Sequence, residues 1–191
     1  MKVSDYTDAG VPLVFVRNIR SGQFGDDGKK AKFVSQAKAD ELFAHSVDGG
    51  DVLITKMGEP PGDATLYPIG EPHAIITADC IKFRPSTLAG DPNYFVWAIN
   101  SKPVQNQILK ITRGVAQKKV SLGRFATIAF PLPPVLEQKE LLRHLNNSES
   151  DANKVAETFQ RSETRSDRLR QSILKTAFEG QLTANESVGA K

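Results

Sequence analysis

The sequence predicts an α/β (α+β) domain followed by a long C-terminal helix of coiled-coil type. Two observations carry this. Residues Val135 to Glu179 contain neither proline nor glycine, with Pro133 and Pro134 before the run and Gly180 after it. Before Pro133, short β-branched runs alternate with helical spacings, bounded by Gly, Pro and Asp. We divide the chain into a domain over residues 1–133, a helical region over 134–182, and a tail over 183–191 expected to be disordered.

The helix is justified first. Proline with fixed φ suits its first turn, and Glu137 and Glu140 suit the positive end of its dipole. Lys175 suits the negative end. We expect about 30 helical residues, roughly 45 Å. One small domain cannot bury both flanks of such a rod, which points to a partner or a second domain. Leu145, Ala152, Phe159 and Ile173 fall at heptad a, and Leu141, Val155 and Leu169 at d, a helix–helix seam interrupted by Ser148, Ser162 and Ser166. Packing of the helix on its own domain is the alternative. Asn146-Asn147-Ser148 marks an expected break, with Ser148 capping a second helix.

Taking the domain in order, Met1 to Gly10 reads as irregular and Val11 to Arg17 as a strand entered through Pro12. Ser21 to Gly28 reads as a loop, and Ser35 caps a helix reaching Ala44. Gly49-Gly50-Asp51 turns into the buried strand Val52–Thr55, with Asp51 as a turn cap. Gly58-Glu59-Pro60-Pro61-Gly62 is a loop that lacks the lysine and spacing of a phosphate-binding loop. Ala74–Thr77 and Cys80–Arg84 read as one long strand or two short ones. Helices follow Asp91-Pro92 and Ser101-Lys102-Pro103, with Phe95 and Trp97 in the core. Thr112 to Lys119 is a basic loop, Ser121 to Phe125 a turn, and Ala126 to Leu132 a strand leading into the long helix.

Composition bounds the function. The 191 residues carry net charge +3, 39% hydrophobic and 25% charged residues, and one cysteine, Cys80, expected as a buried thiol. No run has transmembrane length and no signal peptide opens the chain, so a cytoplasmic location with no membrane association is expected. The charge is unevenly placed. Pro92 to Leu136 contains no acid, but does contain Lys102, Lys110, Arg113, Lys118, Lys119 and Arg124. Such a run suggests a surface facing an anion, with nucleic acid the natural candidate. The plainer reading is a solvated face balanced by acids elsewhere in the fold.

Several chemistries lack their residues. Pro131-Leu132-Pro133-Pro134 has neither the amide or carboxylate nor the aromatic of an adenine methyltransferase loop. No glycine-rich cofactor fingerprint stands out, so no cofactor is expected. His45, His73 and His144 are isolated, so no metal is expected. Asp79 and Lys82 lack the carboxylate-x-Lys spacing of a nuclease.

Two patterns carry a resemblance. PLPPxxEQ at Pro131 to Gln138, followed by a long helix ending Ser172-Ile173-Leu174-Lys175-Thr176-Ala177-Phe178-Glu179-Gly180-Gln181-Leu182, resembles the conserved region of type I restriction-modification specificity subunits. Gly10-Val11-Pro12-Leu13 with Arg17-Asn18-Ile19 and Gly22, and Gly50-Asp51-Val52-Leu53-Ile54-Thr55 with Gly58, resemble that family's target recognition domain. The resemblance implies a mixed-sheet domain that binds double-stranded DNA, and a helix that spaces two such domains and docks methyltransferase subunits, and through them a restriction subunit. It implies a non-catalytic subunit. The family pattern occurs once here and lacks an opening strand and helix. Half of a subunit, or a partial product, is therefore expected, with antiparallel pairing of two copies completing a bipartite reader. On this reading Lys56, Lys110, Arg113, Lys118 and Lys119 meet phosphates. Asn18 and Gln117, with Arg17 or Arg113, read base edges. The rival readings are a coiled-coil assembly protein binding acidic protein partners, and a nuclease.

Overall fold

The computed structural model describes residues 1–25, 28–114 and 118–179. The chain divides into two units, Met1–Leu142 and a second beginning at Arg143. The first contains the strands β1 (Tyr6–Thr7), β2 (Val11–Val14), β3 (Ile19–Arg20), β4 (Gln23–Phe24) and β5 (Phe33–Val34), then helix α1 (Gln36–Glu41). Strands β6 (Ser46–Val47), β7 (Val52–Thr55), β8 (Ala64–Leu66), β9 (Ala74–Ile76) and β10 (Cys80–Phe83) follow, then helices α2 (Pro92–Asn100), α3 (Lys102–Ile111) and α4 (Leu122–Phe125). Helix α5 (Val135–Phe178) begins in this unit.

The largest sheet has the order β1-β5-β2-β9-β6. Leu13 and Val14 pair parallel with Ile75 and Ile76, while the other neighbours are antiparallel, so the sheet is mixed as expected. A second, antiparallel sheet has the order β10-β7-β8. All four residues of β7 are buried, which explains its unbroken apolar run. Val52 and Ile54 pack with Ile81, Phe95, Ile99, Val104 and Ile108, and so hold α2 and α3 on this sheet. Leu53 faces the other way, toward Val14, Ile19 and Ile76, and joins the two sheets. Cys80 lies in this second cluster as a buried free thiol.

The caps sit where expected. Ser35 Oγ accepts from Lys38 N, and Asp91 Oδ1 accepts from Asn93 N with Pro92 at the first helical position. Asp51 is buried and accepts from Asp48 N. It also receives the Arg84 guanidinium through Nε and Nη2, and Arg84 Nη2 reaches Asp48 Oδ2 at 3.1 Å. Phe95 is in the core and Trp97 packs at its edge.

Five expectations are corrected. The strand from Val11 stops at Val14, because Asn18 Oδ1 accepts from Phe15 N and turns Val16–Asn18 into a 3-10 helix. The loop after Ser21 holds β4, which pairs with β3, and the opening decapeptide holds a 3-10 turn (Val3–Asp5) and β1. Ala126–Leu132 is not a strand. Gln107 serves as its ladder instead: Oε1 accepts from Ala129 N at 2.9 Å and Nε2 donates to Ala129 O at 3.0 Å. Phe130 then stacks on Phe95 with ring centroids 5.5 Å apart. Pro131, Pro133 and Pro134 lack the N–H groups that a ladder requires. Finally, α5 runs unbroken through Asn146-Asn147-Ser148 for 44 residues. Asn and Ser are weak helix formers, but each costs under about 1 kcal/mol and neither forces a break as proline does.

The first turns of α5 are bound to their own unit. Leu142 is buried against Tyr94 and Ala98. Gln138 is fully buried, its Nε2 donating to Ala89 O and Pro133 O and its Oε1 accepting from Asp91 N. In the second unit the described residues are helical to Phe178 and almost all exposed, with ion pairs one turn apart such as Lys154–Asp151 and Arg161–Glu157. Among the described residues no helix is long and apolar enough to cross a membrane. The tail over 183–191 lies outside the described residues.

Candidate nucleic-acid interface

Arg113 and Lys119, at the two ends of the basic stretch, pair antiparallel through two backbone bonds, Arg113 N to Lys119 O at 3.0 Å and Lys119 N to Arg113 O at 2.8 Å. This pair is laid against the segment that leaves β7. Val120 N donates to Lys56 O at 2.9 Å, Gly58 N donates to Lys118 O at 3.3 Å, and Lys119 bridges Met57. Val120 is buried in the core beneath and anchors this pairing. Four predicted phosphate-binding residues, Lys56, Arg113, Lys118 and Lys119, are thereby brought to one place, although Lys56 lies far from the others in sequence. Lys110 is exposed on the last turn of α3, one turn before Arg113. Gln117 lies outside the described residues.

The acid-free run is not free of acids in space. Lys118 Nζ lies 2.8 Å from Glu59 Oε1, and Lys119 Nζ 3.3 Å from Asp79 Oδ1. The hydrogen bond from Lys118 holds the Glu59 carboxyl below its ordinary value. Lys56 Nζ donates to Ala78 O at 3.4 Å in the same turn that presents Asp79. Four cations and two carboxylates make up the patch, which keeps a positive surplus. Sequence reading missed Glu59 and Asp79 as members of it, because nothing in local spacing joins them to the loop.

Arg17 and Asn18 are placed elsewhere. The Arg17 guanidinium lies 4.2 Å from the centroid of the Phe15 ring. Asn18 uses its amide as a brace, accepting from Phe15 N and donating to Gly25 O at 3.1 Å. Both line a hollow of about 310 Å³ with Lys29, Tyr67 and Glu71. Burial pushes the Tyr67 hydroxyl up to about 12, and it donates to Pro72 O. The nuclease-like pair is parted: Asp79 faces Lys119, while Lys82 Nζ donates to Ser46 O at 2.6 Å.

On α5, the predicted seam residues Val155, Phe159, Leu169 and Ile173 are all more than half exposed, Phe159 at 69%. Ala152 is exposed, Leu141 is 40% exposed and Leu145 is half-buried. The inward-facing residues at the start of this helix are Gln138 and Leu142, which the heptad reading passed over.

Known proteins share this architecture. The chain is 26% identical to the EcoKI specificity subunit of Escherichia coli K12 over 179 residues, 92% of this chain and 38% of that subunit. It is 30% identical to the Escherichia coli EcoBI specificity subunit over 89 residues, 47% of this chain and 19% of that one. Both relatives are type I restriction enzyme subunits named for specificity. A structure described under the assembly and conformational transition of the type I R-M system superposes with a TM-score of 0.69 at 18% identity, over 95% of this chain and 42% of that one. The HsdS subunit of Thermoanaerobacter tengcongensis superposes at 0.64, also at 18% identity, over 95% of this chain and 41% of its own. At that identity the likeness speaks for the fold alone. The chain spans about two-fifths, or less, of the length of the relatives it matches. Residues 29–158, more than half of the chain, match the type I restriction modification DNA specificity domain, and the chain belongs to that family.

Proposed function

We propose that this chain is a sequence-specific DNA-recognition module of a type I restriction-modification complex, reading half of a bipartite target. Residues 1–133 would recognise DNA. Residues 134–182 would pair with another helix and dock methyltransferase subunits, and through them a restriction subunit, in the cytoplasm. The chain itself would neither methylate nor cleave. One observation supports this most: in a domain of this family, backbone pairing brings Lys56, Arg113, Lys118 and Lys119 from two segments into one partly exposed cationic patch. Such cations neutralise phosphates and set register, while sequence is read by neighbouring polar side chains. Gln117 and Arg113 in the same loop are the proposed readers. Arg17 and Asn18, braced around Phe15 and Gly25, are a second pair whose amide is already engaged.

The exposed seam on α5 favours antiparallel pairing of two copies, which would present two inverted half-sites. A second reading keeps the helix and drops the DNA. An assembly protein that binds acidic protein partners would also use the seam and the loop, and the carboxylates on Lys118 and Lys119 favour it. Titration of a labelled random-sequence duplex across a salt series separates the two. The DNA reading expects binding that falls steeply with salt, and no binding at low salt removes it. Co-purification with a methyltransferase subunit tests the docking role.

A further inference from the structure

The carboxylates in the cationic patch come from outside the loop they neutralise. Glu59 lies in the loop after β7, and Asp79 in the turn that enters β10. Glu59 is 80% exposed and reaches back to Lys118. Asp79 is more covered and sits against Lys119. An exposed lysine–carboxylate pair contributes little to stability, so folding alone gives little reason for two such pairs in this cationic patch.

We propose that Glu59 and Asp79 are specificity-setting counter-charges, which hold Lys118 and Lys119 as phosphates would until a correctly seated duplex displaces them. This rests on the DNA reading above. A lysine that exchanges a carboxylate for a phosphate gains only the difference between the two contacts. A duplex bound without base contacts presents phosphates in shifting registers, so the lysines stay on their own acids and release few counterions. A duplex fixed by base contacts holds its phosphates in place, and the exchange goes through. The acids also repel any duplex that approaches this face. Their effect is to keep non-specific affinity low, which raises the ratio of specific to non-specific binding.

The test uses the full chain, a fluorescent random-sequence duplex and a series of potassium chloride concentrations. Glu59→Gln and Asp79→Asn keep shape and remove charge. Each should tighten binding to the random duplex roughly three- to tenfold at low salt, and steepen the slope of log affinity against log salt by up to about 0.9. Adding Lys119→Ala to Asp79→Asn should abolish the gain, because the effect acts through that lysine. Glu41→Gln, which removes an equal charge from the Lys38 pair on α1, should change affinity by less than about twofold. A gain from Glu41→Gln equal to that from Asp79→Asn would show a general charge effect and overturn the assignment. Unchanged or weaker binding in both acid variants, with wild type binding normally, would overturn it too and leave the DNA reading standing. Weaker binding would mean the carboxylates meet base amino groups. No binding by wild type or variants removes both.

Discussion

The Gln138 carboxamide fills the space over Gly90: a Cβ on Gly90 would lie 1.8 Å from Oε1 and 2.5 Å from Cδ of Gln138. Gly90 has φ +136°, a conformation open to glycine and strained for other residues. The amide thereby reaches Ala89 O, Asp91 N and Pro133 O together, tying the first turn of α5 to the N-cap of α2. Gln138→Ala leaves those groups buried without a partner and should destabilise the first unit by about 2–4 kcal/mol. Gly90→Ala should cost at least about 2 kcal/mol through strain and clash. Urea unfolding of both variants checks this, and losses below about 0.5 kcal/mol would contradict the clamp.

For the basic loop, Lys118→Ala with Lys119→Ala should flatten the salt slope of specific DNA binding by up to about two units. The specific duplex should weaken more than a random one, on which Lys118 and Lys119 stay paired with Glu59 and Asp79 and release few counterions. The melting temperature should barely change. An unchanged slope with folding intact would move the interface away from these lysines.

The seam is tested by Phe159→Asp. A charge at a buried heptad position opposes pairing, so sedimentation at high protein concentration should shift toward monomer. The thermal transition of the first unit should stay where it was. Wild-type protein that remains monomeric at high concentration would exclude self-pairing through this face.

Cys80 provides a pH-dependent probe. Burial pushes its thiol up to about 11 from 9.0, with the Thr77 hydroxyl as a smaller opposing influence. A raised folded pKa gives stability that is fully present below 9.0 and is lost as pH rises through about 11, amounting to about 2–3 kcal/mol for this shift. Alkaline titration of stability should show that loss, and Cys80→Ala should remove it. A thiol reagent at about pH 8 should label the folded protein slowly and the urea-unfolded protein quickly. Equal rates would place the thiol at the surface.

What the sequence determined was local. The caps at Ser35 and Asp91, the buried run Val52–Thr55 and the start of the long helix after Pro133-Pro134 all depend on residues within one turn or strand, and each formed where expected. The motifs at Pro131 to Gln138 and near Asp51 were sufficient to indicate the family. Tertiary structure decided what depends on distant neighbours. It gave Ala129 a glutamine side chain instead of a ladder, used the amide of Asn18 as a brace, and buried Gln138 beneath Gly90. It also set Glu59 and Asp79 on lysines that appeared unopposed in the linear charge pattern. The reason is one of range. Propensity and capping act over three or four residues, whereas ion pairs and burial are set by which segments the sheet order brings together, and that order is a property of the whole fold.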